Sequence, residues 1–372
     1  MGMTSRANAP LRGGVIGCGF FAQNHLHSWA ALKGTNGEGV ELAAVCDRDG
    51  AKASAAAERF GIPKSYTDAA EMFAAESLDF VDIVTTMPSH RPLVELAARH
   101  HVPCIVQKPF APTWDDCVAM VETCRASGMP LMVHENFRFQ TPLLAVRRVV
   151  ESGVLGQLTW GRVSFRTAYD VYANQPYLAE EEHLIILDLG IHVLDVARVC
   201  LGEVENLTCQ TQSIRPGIRG EDMATMMLRH ANGATSVVEC TYASKQDPDP
   251  FPETLVHLEG TRGSLKLEQG YRMTVASERA GGGGGGAGAA AGGMTREVTD
   301  VSPNLLDWAT PPWHGAQESV LTTQRHWIEC LRRGVEPETS GVDNLRTYAL
   351  VMAAYESART GRAERPVGLR GG

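Results

Sequence analysis

The segment LDLGIHVLDVARVC, residues 187–200, carries an acidic residue and a histidine at helical spacing. Asp188 and His192 are four residues apart among apolar neighbours, which predicts a helix around 185–201 with both side chains on one face. The spacing leaves two interpretations open. The polar stripe faces solvent, or it lines a crevice in which Asp188 orients the imidazole of His192 and stabilises its protonated form for acid/base catalysis.

A second candidate for chemistry is Lys108, in the run VPCIVQKP. The apolar residues before it predict a buried strand, and open α/β sheets bind ligands at the carboxyl ends of their strands. Pro109 disfavours helix at the preceding position. The ammonium group could therefore hydrogen-bond a reacting hydroxyl; the other interpretation is a surface lysine at the end of a strand.

A glycine-rich loop follows the first predicted strand, GGVIG. It reads Gly17-Cys18-Gly19-Phe20-Phe21-Ala22 and leads into the helix start AQNHLHSWAAL. In the G-x-G-x-x-G/A pattern the first glycine makes the turn and the second lets the backbone approach a pyrophosphate. A small third residue lets the helix pack on the strand. The loop therefore predicts a dinucleotide site.

An acidic residue ends the second predicted strand, VELAAVCD. Asp47 is placed to accept hydrogen bonds from the ribose hydroxyls of adenosine, which favours NAD. Arg48 follows immediately, and a guanidinium there could bind a 2′-phosphate. NADP therefore stays open as an alternative.

The elements that position these residues fall into two regions. The 372 residues favour two domains. Over residues 10–135 β-rich runs alternate with helical stretches, which predicts a Rossmann domain with a doubly wound parallel sheet. Residues 136–372 predict an α+β domain with a large open, mainly antiparallel sheet, closed by helices near 316–333 and 342–360.

Composition excludes several classes of protein. With 34 basic and 43 acidic residues and a net charge of −9, the chain is a poor candidate for binding nucleic acid or an anionic membrane. It has no 18-residue apolar run and no signal-peptide core, so we expect a cytoplasmic protein. The nine cysteines form no C-x-x-C pair, which predicts reduced, buried thiols and no metal site.

A low-complexity segment interrupts the second region. Residues 281–293 are all glycine or alanine. Side chains of this size offset little of the entropy lost on ordering. We expect a flexible insert between two strands.

The chain resembles the Gfo/Idh/MocA family of NAD(P)-dependent sugar and polyol oxidoreductases. The resemblance covers nearly the whole chain and rests on GCGFFAQNH, on TTMPSHRPLVELAARHHVPCIVQKPFAPT, on LDLGIHVLDVARVCLGE and on the closing ETSGVDNLRTYALVMAAYESARTG. The family usually has Glu-Lys-Pro where this chain has Gln107-Lys108-Pro109. The resemblance implies a Rossmann domain, a second domain with an open sheet, and an active site in the crevice between them.

The resemblance also implies roles for individual residues. Lys108, Asp188 and His192 match the family's catalytic positions. The expected cofactor-binding residues are Gly17, Gly19, Phe20, Phe21, Ala22, Asp47, Arg48, Thr85, Thr86, Pro88, His90, Gln107, Lys108 and Asn136. For substrate we expect Lys108, Asn136, Asp188 and His192, joined by Tyr169 and Tyr177 from an irregular stretch, where a structural role is the alternative.

The activity implied is hydride transfer from a hydroxyl-bearing carbon of a sugar, sugar acid or polyol to NAD(P), giving a ketone or a lactone. The Gln-Lys-Pro variant and the QPYL stretch (175–178) resemble branched-pentose, apiose-type dehydrogenases. Two alternatives stay open: an NAD-dependent redox glycosidase without net oxidation, and a nucleotide-sensing regulator without catalysis. By analogy with the family we expect a homodimer or homotetramer.

Overall fold

The structure is a computed structural model that describes residues 9–34, 39–279 and 293–368. The chain forms two compact units. The first contains the residues up to 136 together with 307–309 and 317–348. The second contains 137–306, 310–316 and the residues from 349 onward. The last two helices of the chain thus contribute to both units.

The first unit is built on a six-stranded parallel sheet. Its strands are β1 (Leu11–Ile16), β2 (Val40–Cys46), β3 (Lys64–Tyr66), β4 (Phe80–Ile83), β5 (Cys104–Gln107) and β6 (Leu131–His134), in the order β3-β2-β1-β4-β5-β6. The order reverses between β1 and β4, and ligands bind at such a switch point in doubly wound sheets. The predicted Rossmann fold is confirmed.

Five helices connect these strands: α1 (Ala22–Ala31), α2 (Gly50–Phe60), α3 (Ala69–Ala75), α4 (His90–Arg99) and α5 (Trp114–Ser127). Side chains cap three of them. Asp49, Asp68 and Thr113 each accept backbone N–H groups of the first turn of α2, α3 and α5. Such caps satisfy donors that have no partner within the helix.

The second unit begins with α6 (Thr141–Glu151) and contains α7 (Ile191–Leu201). Its strands are β7 (Leu158–Arg166), β8 (Val204–Gln212), β9 (Met223–His230), β10 (Thr235–Thr241), β11 (Leu255–Gly260), β12 (Gly263–Glu268), β13 (Arg272–Glu278) and β14 (Met294–Asp300). The closing helices are α8 (His314–Arg333) and α9 (Gly341–Thr360). Gly361 follows α9 with φ +69°, and its N–H donates to the carbonyl oxygen of Ser357, which caps the end of the helix.

The eight strands of the second unit form one sheet in the order β14-β13-β12-β11-β7-β10-β9-β8. Neighbouring strands are antiparallel except β7 and β10, which are parallel. The prediction of a mainly antiparallel sheet is confirmed. α7 is almost entirely buried and packs on β7 and β10.

The predicted helix around 185–201 differs in its first turn. Residues Ile186–Gly190 form a π-helical turn, and the α-helix starts only at Ile191. Two side chains bind the free N–H groups at the start of this turn: Glu221 accepts from the backbone of Ile186 at 3.3 Å, and the hydroxyl of Tyr355 accepts from Leu187 at 3.1 Å. These bonds from distant parts of the chain support the wider turn.

The structure also bears on the predictions for the Gly/Ala segment, the cysteines and a membrane-spanning helix. The Gly/Ala segment lies outside the described residues apart from Gly293, while β13 and β14 on either side of it pair in antiparallel register. All nine cysteines belong to the described residues and are buried, as predicted, and each is a free thiol in the structure. In the part of the chain that the structure describes, no helix is long and apolar enough to cross a bilayer.

Candidate active site

The glycine loop connects β1 to α1 at the switch point of the parallel sheet. Gly17 has φ +99°, and a Cβ there would lie 2.3 Å from the carbonyl oxygen of Val84, so only glycine fits. A Cβ on Gly19 would meet no atom of the chain within 4 Å. Ala22 is buried at the first position of α1, while Phe20 is 56% exposed. The loop therefore has the tight turn and the open backbone position that a pyrophosphate requires.

Asp47 links the end of β2 to this loop. Its Oδ2 accepts from the backbone N–H of Cys18 at 2.8 Å, and its Oδ1 accepts from that of Asp49 at 2.9 Å. The carboxylate is half-buried, so lone pairs remain for ribose hydroxyls. Arg48 is exposed. Burial, followed by the charge of Asp47, raises the pKa of the Cys18 thiol to about 12, so this cysteine stays protonated.

The segment after β4 forms the other side of the switch point. Thr85, Thr86 and Pro88 are partly or fully exposed, around a short 3₁₀ turn at Met87–Ser89. His90 is fully buried instead, with its Nδ1 3.0 Å from the carbonyl oxygen of Phe110 and its Nε2 3.1 Å from that of Thr85. The imidazole thus holds this segment against the loop that follows β5.

Lys108 follows β5 directly, as predicted, and is half-buried. The side chain of Gln107 is 7% exposed, and its Oε1 accepts from the backbone N–H of Lys108 at 2.7 Å. At the end of β6, Asn136 is also buried, and its Nδ2 donates to Oγ of Ser319 at 2.7 Å. Gln107 and Asn136 therefore make defined contacts inside the first unit.

Asp188 and His192 belong to the second unit. Asp188 lies in the π-helical turn, and its Oδ2 accepts from the hydroxyl of Tyr242 at 2.8 Å. Burial, together with the nearby Asp188 carboxylate, raises the pKa of Tyr242 well above its ordinary value, so this phenol keeps its proton. No sequence pattern indicates Tyr242, which stands just after β10 and 54 residues from Asp188.

The ring of His192 is buried, with 3% of its residue surface exposed. It stacks on Phe137 with ring centroids 3.8 Å apart and planes 5° apart. Asp195, one turn further on, is fully buried and bonds Arg138 through both oxygens, at 2.5 and 2.7 Å. The solvent-facing interpretation of the stripe is therefore wrong for His192, and the neighbouring Asp195 belongs to a buried ion pair.

The irregular stretch before the π-helical turn carries the two candidate tyrosines. Tyr169 stacks on Phe251 at a centroid distance of 4.1 Å, and Trp313 packs edge-on against both rings. Tyr177 is 53% exposed, and its hydroxyl donates to Gln175 at 3.0 Å. Tyr169 is thus part of an aromatic cluster, whereas Tyr177 projects from the surface of its own unit.

The geometry of each unit agrees with what comparisons with known proteins find. Residues 11–135 match the model of an oxidoreductase family with an NAD-binding Rossmann fold, Gfo/Idh/MocA, and residues 143–266 match the C-terminal domain model of the same family. The chain belongs to the Gfo/Idh/MocA family. It is an NAD-dependent dehydrogenase of the kind that oxidises sugar or polyol hydroxyls.

Two relatives and one solved structure are similar over nearly their whole length. The D-apiose dehydrogenase of Rhizobium rhizogenes is 53% identical over 95% of this chain and 96% of its own length. That of Paraburkholderia graminis is 51% identical over 94% and 88%. An oxidoreductase from Agrobacterium radiobacter, crystallised with NAD⁺, L-tartaric acid and magnesium, is 52% identical with a TM-score of 0.89, covering 96% and 98%. These comparisons favour a dehydrogenase over a redox glycosidase or a regulator.

Proposed function

We propose that this protein oxidises D-apiose, a branched pentose, with NAD⁺. The observation that carries the proposal is the identity of 53% and 51% to two D-apiose dehydrogenases over at least 94% of the chain. Oxidation at the anomeric carbon would give a lactone, and oxidation at another hydroxyl-bearing carbon would give a ketone. The carbon loses a hydride and the hydroxyl loses a proton, so the C–O bond becomes a carbonyl bond.

NAD⁺ supplies the hydride acceptor when it is bound. For its pyrophosphate we propose the loop 17–22, and for its adenosine ribose Asp47. A carboxylate at the end of β2 repels a 2′-phosphate, which supports NAD over NADP. The residues that we propose around the nicotinamide are Thr85, Thr86, Pro88, Gln107, Lys108 and Asn136. His90 supports this site through its contacts with the backbone of Thr85 and Phe110.

For the proton we propose a division of roles among three residues. His192 accepts the hydroxyl proton, Lys108 hydrogen-bonds the reacting oxygen, and Asp188 stabilises the protonated imidazole. Two contacts support this: stacking on Phe137 fixes the plane of the His192 ring, and Tyr242 fixes one oxygen of Asp188. Acid/base catalysis of this kind contributes about 10²- to 10⁴-fold to the rate.

The experiment is a panel of pentoses, hexoses, inositols and sugar acids, incubated with NAD⁺ and NADP⁺ in parallel while NADH or NADPH absorbance is followed. We expect the highest kcat/KM with D-apiose and NAD⁺, and one NADH formed per sugar molecule oxidised. Release of a free sugar from a glycoside without NADH would identify the redox glycosidase instead. An inactive protein that binds NAD⁺ throughout the panel would support the regulator.

The proposed roles are tested by Lys108→Met, Asp188→Asn and His192→Asn. We expect each to lower kcat with the best substrate by about 10²-fold or more. In Asp188→Asn and His192→Asn, which lie outside the proposed cofactor set, the Kd for NAD⁺ should stay within about threefold. Lys64→Met is the matched control, because it removes an exposed ammonium group on β3 that belongs to none of the proposed site residues. Unchanged turnover in all three variants contradicts the assignment.

We also propose that the protein assembles as a homodimer or homotetramer through the exposed face of the eight-stranded sheet. Along β9 the burial alternates, so that Met226 and Leu228 are buried while Met227 is 59% exposed. On the edge strand β14, Met294 and Val298 are also more than half exposed. Exposed apolar side chains spread over one sheet face support a contact with a second copy.

A further inference from the structure

The side-chain amide of Gln107 has an orientation that chemistry alone fixes. One end of it lies 2.7 Å from the backbone nitrogen of Lys108, and the other end lies 2.9 Å from Nε2 of His25. A backbone N–H can only donate, so the amide oxygen must face Lys108. The NH₂ group therefore faces His25.

This orientation determines which nitrogen of His25 carries the proton. Because an amide NH₂ can only donate, Nε2 of His25 must accept, and the proton of the neutral ring is then on Nδ1. Nδ1 lies 2.8 Å from Oδ2 of Asp82, an acceptor. His25 and Asp82 are both fully buried, so solvent does not compete for these bonds.

Asp82 is the fixed end of this series of bonds. It is a polar residue in the otherwise apolar strand β4, and its Oδ2 also accepts from Nε1 of Trp29 at 2.7 Å and from the amide of Gln324 at 3.3 Å. Its Oδ1 is buried without a hydrogen-bond partner among the described residues. A buried oxygen of this kind costs free energy, so packing alone does not explain the carboxylate.

We propose that His25 is a positioning residue for Lys108. Asp82 holds its ring in the neutral Nδ1–H form, the ring orients the amide of Gln107, and the amide fixes the backbone at Lys108. Every donor in the series points the same way, from Lys108 through Gln107 and His25 to Asp82. The inference rests on the catalytic role proposed for Lys108. It gives helix α1, which carries His25, a function in positioning Lys108 that the motif of the loop 17–22 does not indicate.

The first measurement is the tautomer itself. Nitrogen NMR of the full-length enzyme with ¹⁵N-labelled histidine rings reports which nitrogen is protonated, and loss of one signal set in His25→Gln identifies His25. We expect Nδ1 protonated and Nε2 unprotonated at neutral pH. A His25 ring protonated on Nε2, or on both nitrogens, overturns the proposal without any variant having to be active.

The second measurement uses Gln107→Glu, which has nearly the same shape. A carboxylate can still accept from Lys108 but cannot donate to His25. We expect Nε2 of His25 to gain a proton and kcat to fall about tenfold or more. In His25→Gln, whose residue lies outside the proposed cofactor set, we expect the same fall in kcat while the KM for NAD⁺ changes less than about threefold. His27→Gln on the same helix is the matched control and leaves both kcat and the His25 signals unchanged.

Two outcomes contradict the positioning role. One is a wild-type kcat in both Gln107→Glu and His25→Gln. The other is a parallel loss of kcat, NAD⁺ binding and thermal stability, which marks a general structural defect. The tautomer is read without substrate, and kcat is measured with whichever sugar the wild-type enzyme oxidises best, so failure of the D-apiose assignment leaves this test intact.

Discussion

At the scale of single residues, short-range patterns predict positions but not partners. Gly17, Asp47 and Lys108 stand where the sequence predicts them, at the carboxyl ends of β1, β2 and β5, because a turn or strand end depends on its own few residues. Tyr242 and Phe137 make contacts with Asp188 and His192 that no local pattern encodes. Such contacts arise from how β10 and the start of the second unit pack on the helix, which is information that one sequence does not contain.

Removing the Tyr242 hydroxyl should affect turnover more than binding. Tyr242→Phe deletes one hydrogen bond to the Asp188 carboxylate, and bonds to charged groups contribute about 1.5–3 kcal/mol. If Asp188 stabilises a protonated His192 in the transition state, kcat falls about 10-fold or more and the Kd for NAD⁺ stays unchanged. Steady-state kinetics together with an NAD⁺ titration measure the two effects. Tyr172→Phe, which removes a phenol that has no hydrogen-bond partner among the described residues, is the control, and equal kinetics in both variants contradict the prediction.

Stability should fall in mild acid because of His90. Burial, the largest cause, lowers the pKa of His90 below its ordinary value near 6.5, against the opposing effect of carbonyls such as that of Phe110. The unfolded chain therefore binds this proton more readily. The contribution is fully present above pH 6.5 and is lost as the pH drops towards the folded-state pKa, with a slope of at most about 1.4 kcal/mol per pH unit.

Urea unfolding between pH 7.5 and 5 measures this slope. We expect His90→Gln to be less stable at neutral pH, because it loses contacts to two carbonyls, and to show a shallower decline on acidification. His100→Gln, at the exposed end of the same helix, should keep the wild-type slope. An unchanged slope in His90→Gln would show that other groups, such as the buried His230, dominate.

At the scale of elements, regular periodicity predicts helices and strands well, and it fails where long-range bonds reshape an element. α8 and α9 start within two residues of their predicted positions. The turn at Ile186–Gly190 is π-helical, with Glu221 and Tyr355 bound to its free N–H groups, and the spacing of Asp188 and His192 alone indicated an ordinary helix. β3 has only three residues, all partly or fully exposed, so it shows no apolar run.

The turn between β1 and α1 offers a test of the cofactor loop as one element. In Gly17→Ala the new Cβ would lie 2.3 Å from the carbonyl oxygen of Val84, at a φ that L-residues avoid, so the loop must move. We expect a loss of about 1–3 kcal/mol in the free energy of unfolding and a rise of about tenfold or more in the KM for NAD⁺.

Gly61→Ala is the matched control, with φ +62° and open space around it. It should lower stability by about 1 kcal/mol and leave the KM unchanged. A cofactor KM that rises equally in both variants would contradict a specific role for the loop.

At the scale of the whole molecule, length and composition predict two structural regions, and the contacts add a detail that linear reasoning misses. Residues 317–348 group with the first unit although they follow the eight-stranded sheet in sequence. A single sequence carries no signal for this return, because the residues concerned show only ordinary helical periodicity. One face of the eight-stranded sheet carries exposed apolar side chains. From these we expect this face to contact a second copy of the chain.

Met227 tests that expectation. If the exposed sheet face joins two copies, Met227→Glu places a carboxylate in a desolvated contact, which costs several kcal/mol without a partner charge. We expect light scattering after size exclusion to give a dimer or tetramer for the wild type and a smaller species for the variant at micromolar concentration.

Val335→Glu is the matched control, because it places the same charge at a residue that is 43% exposed and lies outside the sheet. Circular dichroism separates dissociation from unfolding, since a dissociated variant keeps its helix and strand signal. A monomeric wild type, or an unchanged mass in Met227→Glu, would show that this face does not hold the copies together.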